Sequence, residues 1–262
     1  MNVTPYRFVL AFILSLIGGL STGLGGCLAL FVKNKNTKFL SFSLGFSAGV
    51  MIYISFVEIL KESNHFLVLS LEEKLGGFLT IVGFFGGILI ITLLNKIIPF
   101  EIYENKTREK TNFPLIKAGL FTALIIAIHN IPEGIISFLT SLKSLSLGIA
   151  IVIAIALHNI PEGIAVSIPI YYATKNKGKA LFYSFLSGIT EPLGALLGYF
   201  LLRPFLNDLV FGLLYALIAG IMVYISFNEL LPTAKIYGED YLVNQGLILG
   251  MAFMAFNMWL FI

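Results

Sequence analysis

The sequence is poor in charge and in cysteine. Charged residues make up 12% of its 262 residues and hydrophobic residues 58%, whereas about a quarter of the residues in a soluble domain are charged. The single cysteine, Cys27, excludes an intramolecular disulfide and a cysteine-rich zinc site. No nucleotide-binding phosphate loop occurs, and a net charge of +3 gives no basis for nucleic-acid binding. The composition therefore indicates a membrane protein.

Long apolar segments dominate what is present. A helix needs about 20 apolar residues to cross a bilayer. Eight such segments can be counted, at about residues 6–32, 39–60, 75–98, 114–138, 146–172, 179–203, 209–231 and 243–262. Their connections are short and polar, and the longest, near residues 99–113, contains no histidine. We therefore expect one all-α transmembrane domain over residues 1–262, with no separate soluble domain.

Lysine and arginine are shared unevenly between alternate connections. One predicted side of the membrane holds twelve of the 17 basic residues and the other side holds five. Connections rich in Lys and Arg lie on the cytoplasmic side. The count therefore predicts that both termini face outward, which agrees with an even number of spans.

The sequence also repeats itself. Residues 48–58, AGVMIYISFVE, match residues 219–229, AGIMVYISFNE, and GLST at 19–22 is echoed by GITE at 188–191. By the count of Lys and Arg in the connections, the second span runs outward and the seventh inward, so the repeat is inverted. We expect a 3+2+3 inverted-repeat bundle, an architecture that is common among secondary transporters.

The phrase His-Asn-Ile-Pro-Glu-Gly occurs twice inside apolar spans, at 129–134 and 158–163. Its His and Glu are four residues apart, so a helix projects them from the same face, while the proline is expected to kink that helix. Ionisable residues in membrane spans are costly and indicate a functional site. Glu191, beside a proline in the sixth span, is another ionisable residue within a span. The candidate metal ligands are His129, Asn130, Glu133, His158, Asn159, Glu162 and Glu191.

Imidazole and carboxylate together suit zinc, iron or manganese. The alternative is that these side chains simply hydrogen-bond one another to lock the bundle. Three clustered carboxylates would, however, repel one another, and every Lys and Arg lies in a connection or near the end of a predicted span, where none is available to neutralise them. A divalent cation resolves this repulsion, so we favour a metal site.

The doubled phrase, together with Ser-Phe-Asn-Glu-Leu-Leu-Pro at 226–232, resembles the ZIP family of divalent metal transporters, and most of all its bacterial ZupT-like branch. The resemblance implies ATP-independent uptake into the cytoplasm, across the cell membrane of a prokaryote, of zinc and also of Fe²⁺, Mn²⁺, Co²⁺ or Cd²⁺. It implies no enzyme activity and no cofactor beyond the transported ion. A primary site would use His129, Glu133, His158 and Glu162, and a second site Asn130, Asn159 and Glu191, bridged by Glu133 and Glu162.

The same resemblance implies an elevator-like motion in a homodimer within the lipid bilayer. Spans one, four, five and six would carry the ion past spans two, three, seven and eight. The alternative function is a membrane-embedded zinc hydrolase. Metal flux without substrate turnover would exclude it, and the metalloprotease pattern His-Glu-x-x-His is absent from the sequence. Glu58 at the outer end of span two, Glu229 at the inner end of span seven and His65 in an outer loop are either capture ligands or solvated residues.

Overall fold

The computed structural model describes residues 4–30, 37–97, 115–205 and 207–261, and within these ranges the fold is helical without strands. The connection expected near 99–113 lies outside the described residues, as do Lys33 and Lys35. The α-helices are α1 Pro5–Ala29, α2 Thr37–Ile54, α3 Leu60–Ser70, α4 Glu73–Ile97, α5 Leu115–Lys143, α6 Leu145–Thr174, α7 Lys177–Leu202, α8 Asp208–Ile225, α9 Leu231–Tyr237 and α10 Asp240–Phe261.

Two π-helical segments join consecutive helices into longer spans. Ser55–Ile59 links α2 to α3, and Ser226–Leu230 links α8 to α9. The result is eight spans in the described chain that are long and apolar enough to cross a membrane, including the 33-residue span Lys38–Ser70. The predicted all-α fold with eight spans is confirmed.

The second span is longer than the sequence analysis expected, because it continues through a polar stretch to Ser70 rather than ending near residue 60. His65 therefore lies on the exposed side of α3, and its assignment to a loop was wrong. Glu58 lies in the π-helical segment, 8% exposed, rather than at the end of the helix. Glu229 occupies the corresponding place in the other π-helical segment.

The helices pack as two groups. The site group consists of α1, α5, α6 and α7, which pack extensively against one another, and the frame group consists of α2, α3, α4, α8, α9 and α10. Between the groups the main pairs are α2 with α6, α5 with α8, and α6 with α10. The twin phrases lie on α5 and α6, so both belong to the site group.

Glycine allows the site group to pack at backbone distance. A Cβ on Gly134 would overlap the carbonyl oxygen of Glu191, and a Cβ on Gly163 would overlap the carbonyl oxygen of Thr22. Gly134 and Gly163 end the two phrases, and Thr22 is the residue that the sequence repeat aligns with Glu191. The same contact is therefore made twice, by α5 on α7 and by α6 on α1.

Polar and aromatic contacts join the two groups near the end of α5. The Thr140 and Tyr215 hydroxyls are 2.7 Å apart and buried. The Lys143 ammonium lies 2.8 Å from Asp208 Oδ1. It also lies 3.5 Å from the ring centroid of Phe66 and 4.0 Å from that of Phe211. Asp208 and Tyr215 belong to α8, so this cluster connects the site group to the frame group.

Replacing Tyr215 by Phe should lower the stability of the protein. The substitution keeps the packed ring but removes the partner of the buried Thr140 hydroxyl, a loss of about 1 kcal/mol for a typical hydrogen bond. Thermal unfolding in detergent measures the effect. Tyr199→Phe is the control, because the Tyr199 ring is likewise packed in an aromatic cluster, against Phe8 and Phe138. Equal melting temperatures for the two variants would contradict the expected contribution of the Thr140–Tyr215 bond.

Candidate metal centre

The two phrases lie inside unbroken helices. Pro132 lies within α5 and Pro161 within α6, and α-helix continues on both sides of each. Because proline has no N–H, the carbonyl four residues earlier loses its helical donor, at Ile128 and at Leu157. Each helix therefore continues past its proline, and neither helix ends at the phrase.

The histidine of each phrase contacts the glutamate of the other. His129 Nε2 lies 3.1 Å from Glu162 Oε2, and His158 Nε2 lies 3.1 Å from Glu133 Oε1. All four side chains are buried, with 2% exposure for His129 and none for the others. The pairs therefore run between α5 and α6 rather than along one helix. Two copies of a phrase thus form a single cluster.

Glu191 of α7 joins this cluster through an asparagine. The Asn159 side chain donates to Glu191 Oε2 at 2.9 Å and to the Gly18 carbonyl oxygen at 3.1 Å. A Cβ on Gly18 would overlap the Glu191 carboxylate, so the carboxylate lies directly against the backbone of α1. Asn130, on the other phrase, donates to the Ser187 carbonyl oxygen at 3.1 Å. Six of the seven predicted residues thus form three side-chain contacts between helices, whereas Asn130 is bonded to the backbone of α7.

Several polar atoms of the cluster are buried without a hydrogen-bond partner among the described residues. They are His129 Nδ1, His158 Nδ1, Asn130 Oδ1, Asn159 Oδ1, Glu133 Oε2 and Glu191 Oε1. Buried polar atoms nearly always have partners, so a group of orphans needs an explanation. Four of these six are oxygen acceptors, and an added cation would satisfy them.

The cluster does not already form a finished coordination shell. In the described ranges, no three His, Cys, Asp or Glu side chains stand in a group that could hold a metal ion. The described contacts are pairwise instead, with an imidazole nitrogen 3.1 Å from a carboxylate oxygen in each of the two crossed pairs. An entering ion would have to replace these hydrogen bonds with its own bonds to nitrogen and oxygen.

Ser47 of α2 is a neighbour of the cluster that the sequence analysis missed. Its hydroxyl lies 3.3 Å from Glu162 Oε1 and 3.3 Å from the His158 carbonyl oxygen. A serine in an apolar helix is common and does not by itself indicate a role. The one sequence feature that distinguishes Ser47 is its position directly before the 48–58 repeat, since the second copy has Ile218 there. Neither Glu58 nor His65 lies on the helices that carry the twin phrases or Glu191.

Comparison with known proteins identifies the family. Residues 103–258 match the model of a family described as ZIP zinc transporter. The chain is 52% identical to zinc transporter ZupT of Streptococcus mutans, over 96% of this chain and 97% of that protein. It is 51% identical to zinc transporter ZupT of Oceanobacillus iheyensis, over 97% of this chain and 98% of that protein. The chain belongs to the ZIP family.

Membership in the ZIP family agrees with the resemblance stated from the sequence. A third relative, zinc transporter ZupT of Clostridium perfringens, is 49% identical over 97% of this chain and 96% of that protein. The relatives are transporters rather than enzymes, so the zinc hydrolase alternative is not supported. Together with the eight apolar spans, these ZIP relatives indicate a multi-pass protein of a bacterial cell membrane.

Replacing Gly18 by Ala should impair zinc uptake while leaving the fold intact. The added methyl group meets the end of a flexible side chain, so Glu191 must move away and weaken its 2.9 Å bond to Asn159. We expect severalfold slower zinc uptake by cells expressing the variant. Gly86→Ala is the control, because nothing lies within 4 Å of a Cβ at Gly86. Equal uptake by the two variants would show that the contact of the Glu191 carboxylate with α1 is not needed for zinc uptake.

Proposed function

We propose that this protein carries divalent metal ions, zinc foremost, across the bacterial cell membrane into the cytoplasm without ATP. The observation that carries the proposal is the buried cluster of two histidines and three glutamates with orphaned oxygen atoms. Buried carboxylates need a compensating charge. The ion pairs that the structure describes for them are to His129 and His158 alone, while Glu191 is bonded to a neutral amide.

The proposed ligands are the seven residues predicted from the sequence. The primary site uses His129, Glu133, His158 and Glu162, whose crossed pairs already bring nitrogen and oxygen ligands together. The second site uses Asn130, Asn159 and Glu191, with Glu133 and Glu162 shared between the sites. The orphaned Glu133 Oε2 and Glu191 Oε1 support this division, because each carboxylate keeps one oxygen free for an ion among the described contacts.

The crossed pairing also accounts for an ion-free carrier. When no ion is bound, Nε2 of each imidazole contacts the carboxylate of the other phrase. Burying an empty site is less costly when Nε2 of each histidine and one oxygen of each glutamate are paired than when these atoms have no partner. A zinc ion would exchange these hydrogen bonds for coordination and would leave when they reform. This exchange permits release as well as binding.

We further propose that the site group moves past the frame group to expose the site to either side of the membrane. The division of the packing into these two groups supports the proposal. The inverted repeat is supported by the paired glycine contacts and by the two π-helical segments at corresponding positions of the repeat. Both termini facing outward, and a homodimer as the working assembly, belong to the same proposal.

The double substitution His129→Ala with Glu133→Ala should reduce zinc uptake into proteoliposomes at least tenfold. It removes one ligand from each crossed pair, and loss of a buried charged partner typically costs several kcal/mol. Uptake of labelled zinc measures the effect. His65→Ala is the control, because His65 is exposed on α3, and it should transport like the parent. If the double variant carries zinc as well as the parent, the site assignment is wrong.

Competition should reveal a broad but not unlimited choice of ion. Mixed nitrogen and oxygen ligands suit the transition metals and cadmium, whereas Mg²⁺ and Ca²⁺ prefer oxygen ligands alone. We expect excess Cd²⁺, Co²⁺, Fe²⁺ or Mn²⁺ to reduce labelled zinc uptake in proteoliposomes, and the same excess of Mg²⁺ or Ca²⁺ to leave it unchanged. Inhibition by Mg²⁺ as strong as that by Co²⁺ would argue against imidazole as a ligand.

A further inference from the structure

Ser47 is a side chain of the frame group that hydrogen-bonds to the candidate metal cluster. It lies on α2, is fully buried, and faces α6 of the site group. Its Oγ is 3.3 Å from Glu162 Oε1 and 3.3 Å from the carbonyl oxygen of His158. The single hydroxyl proton can be donated to either acceptor, and both belong to the second phrase.

This contact makes the two glutamates of the twin phrases unequal. Glu162 has a partner for each oxygen, namely His129 at Oε2 and Ser47 at Oε1. Glu133 is bonded to His158 at Oε1, while its Oε2 has no partner among the described residues. The phrases are identical in sequence, so the difference between their carboxylates comes from the surrounding helices.

The sequence repeat places a different residue at the position related to Ser47. Ser47 precedes the segment 48–58, and Ile218 precedes the matching segment 219–229. Ile218 is also buried, with 2% exposure, but it has no group that can donate a hydrogen bond. The hydroxyl donor is therefore present on one side of the repeat and absent from the other.

We propose that Ser47 is a positioning residue for transport, which holds the Glu162 carboxylate in the orientation that binds the metal. The inference rests on the proposed function. A carboxylate oxygen has two lone pairs, so Oε1 can accept from Ser47 while the carboxylate also bonds to an ion. A hydrogen bond to a ligating carboxylate restricts its rotation before the ion arrives. Loss of such an outer partner typically weakens metal binding by about 10-fold to 100-fold.

The test compares zinc uptake by Ser47→Ala, Ser47→Thr and Ser43→Ala in proteoliposomes. Ser43 is the matched control, because it is a buried serine one turn earlier on the same helix. For Ser47→Ala we expect the half-saturating zinc concentration to rise by about 10-fold, with the maximal rate within about twofold of the parent. Ser47→Thr keeps the hydroxyl and should recover most of the affinity, while Ser43→Ala should behave like the parent.

Equilibrium binding of zinc to the purified variants in detergent provides a second measurement that does not depend on transport rate. The dissociation constant of Ser47→Ala should rise by the same factor as its half-saturating concentration. A half-saturating concentration and a dissociation constant both close to those of the parent would overturn the proposal, whatever the maximal rate. An equal loss of affinity in Ser43→Ala would also overturn it, because the effect would then come from packing of α2.

Failure of this inference can be distinguished from failure of the proposed function. If the parent transports zinc and the His129→Ala, Glu133→Ala double variant does not, the metal site stands and Ser47→Ala tests the positioning role alone. If the parent does not transport zinc, the proposed function fails, and with it the inference.

Discussion

The structure depends on the neutralisation of three carboxylates that are buried between apolar helices. Glu133, Glu162 and Glu191 have no exposed surface. Two of them are paired with histidine across the α5–α6 interface, and the third is bonded to Asn159. Each pair ties one helix to its neighbour, because neither phrase can satisfy its own charged residues. A bound divalent cation would complete the neutralisation of the three carboxylates, since it would supply positive charge that the two histidines do not.

Close backbone contact joins the helices around these pairs. Gly134 and Gly163 bring α7 and α1 against the helices that carry the phrases, at a distance that any side chain would prevent. Gly18 leaves the space that the Glu191 carboxylate occupies. Small residues therefore do more here than tighten helix packing, as they commonly do in membranes. They set the close spacing of α1, α5, α6 and α7, the helices around the proposed metal site.

The number of spans could be predicted from the sequence, but the end of the second span and the pairing within the cluster could not. Composition identifies apolar spans directly, and the twin phrases stand out because polar residues are rare within them. Helix periodicity relates His129 to Glu133 on one face but says nothing about the rotation of α5 against α6, so the crossed pairs could not be predicted. The polar stretch that contains His65 resembles a loop, whereas in the structure it lies in α3, which a π-helical segment joins to α2. Ser47 could not be recognised because its role depends on which helix lies opposite.

The departures from symmetry fall on the same phrase. The sequence repeat aligns Thr22 with Glu191, and Glu191 is bonded to Asn159. It also aligns Ile218 with Ser47, and the Ser47 hydroxyl contacts Glu162. Both extra partners therefore belong to the phrase on α6, which is more fully constrained. The phrase on α5 keeps Glu133 Oε2 without a partner among the described residues, whereas the asparagine Oδ1 lacks a partner in both phrases. Two motifs of identical sequence thus differ in structure: both oxygens of Glu162 have a described partner, whereas Glu133 keeps one oxygen that a metal ion at the proposed site could use.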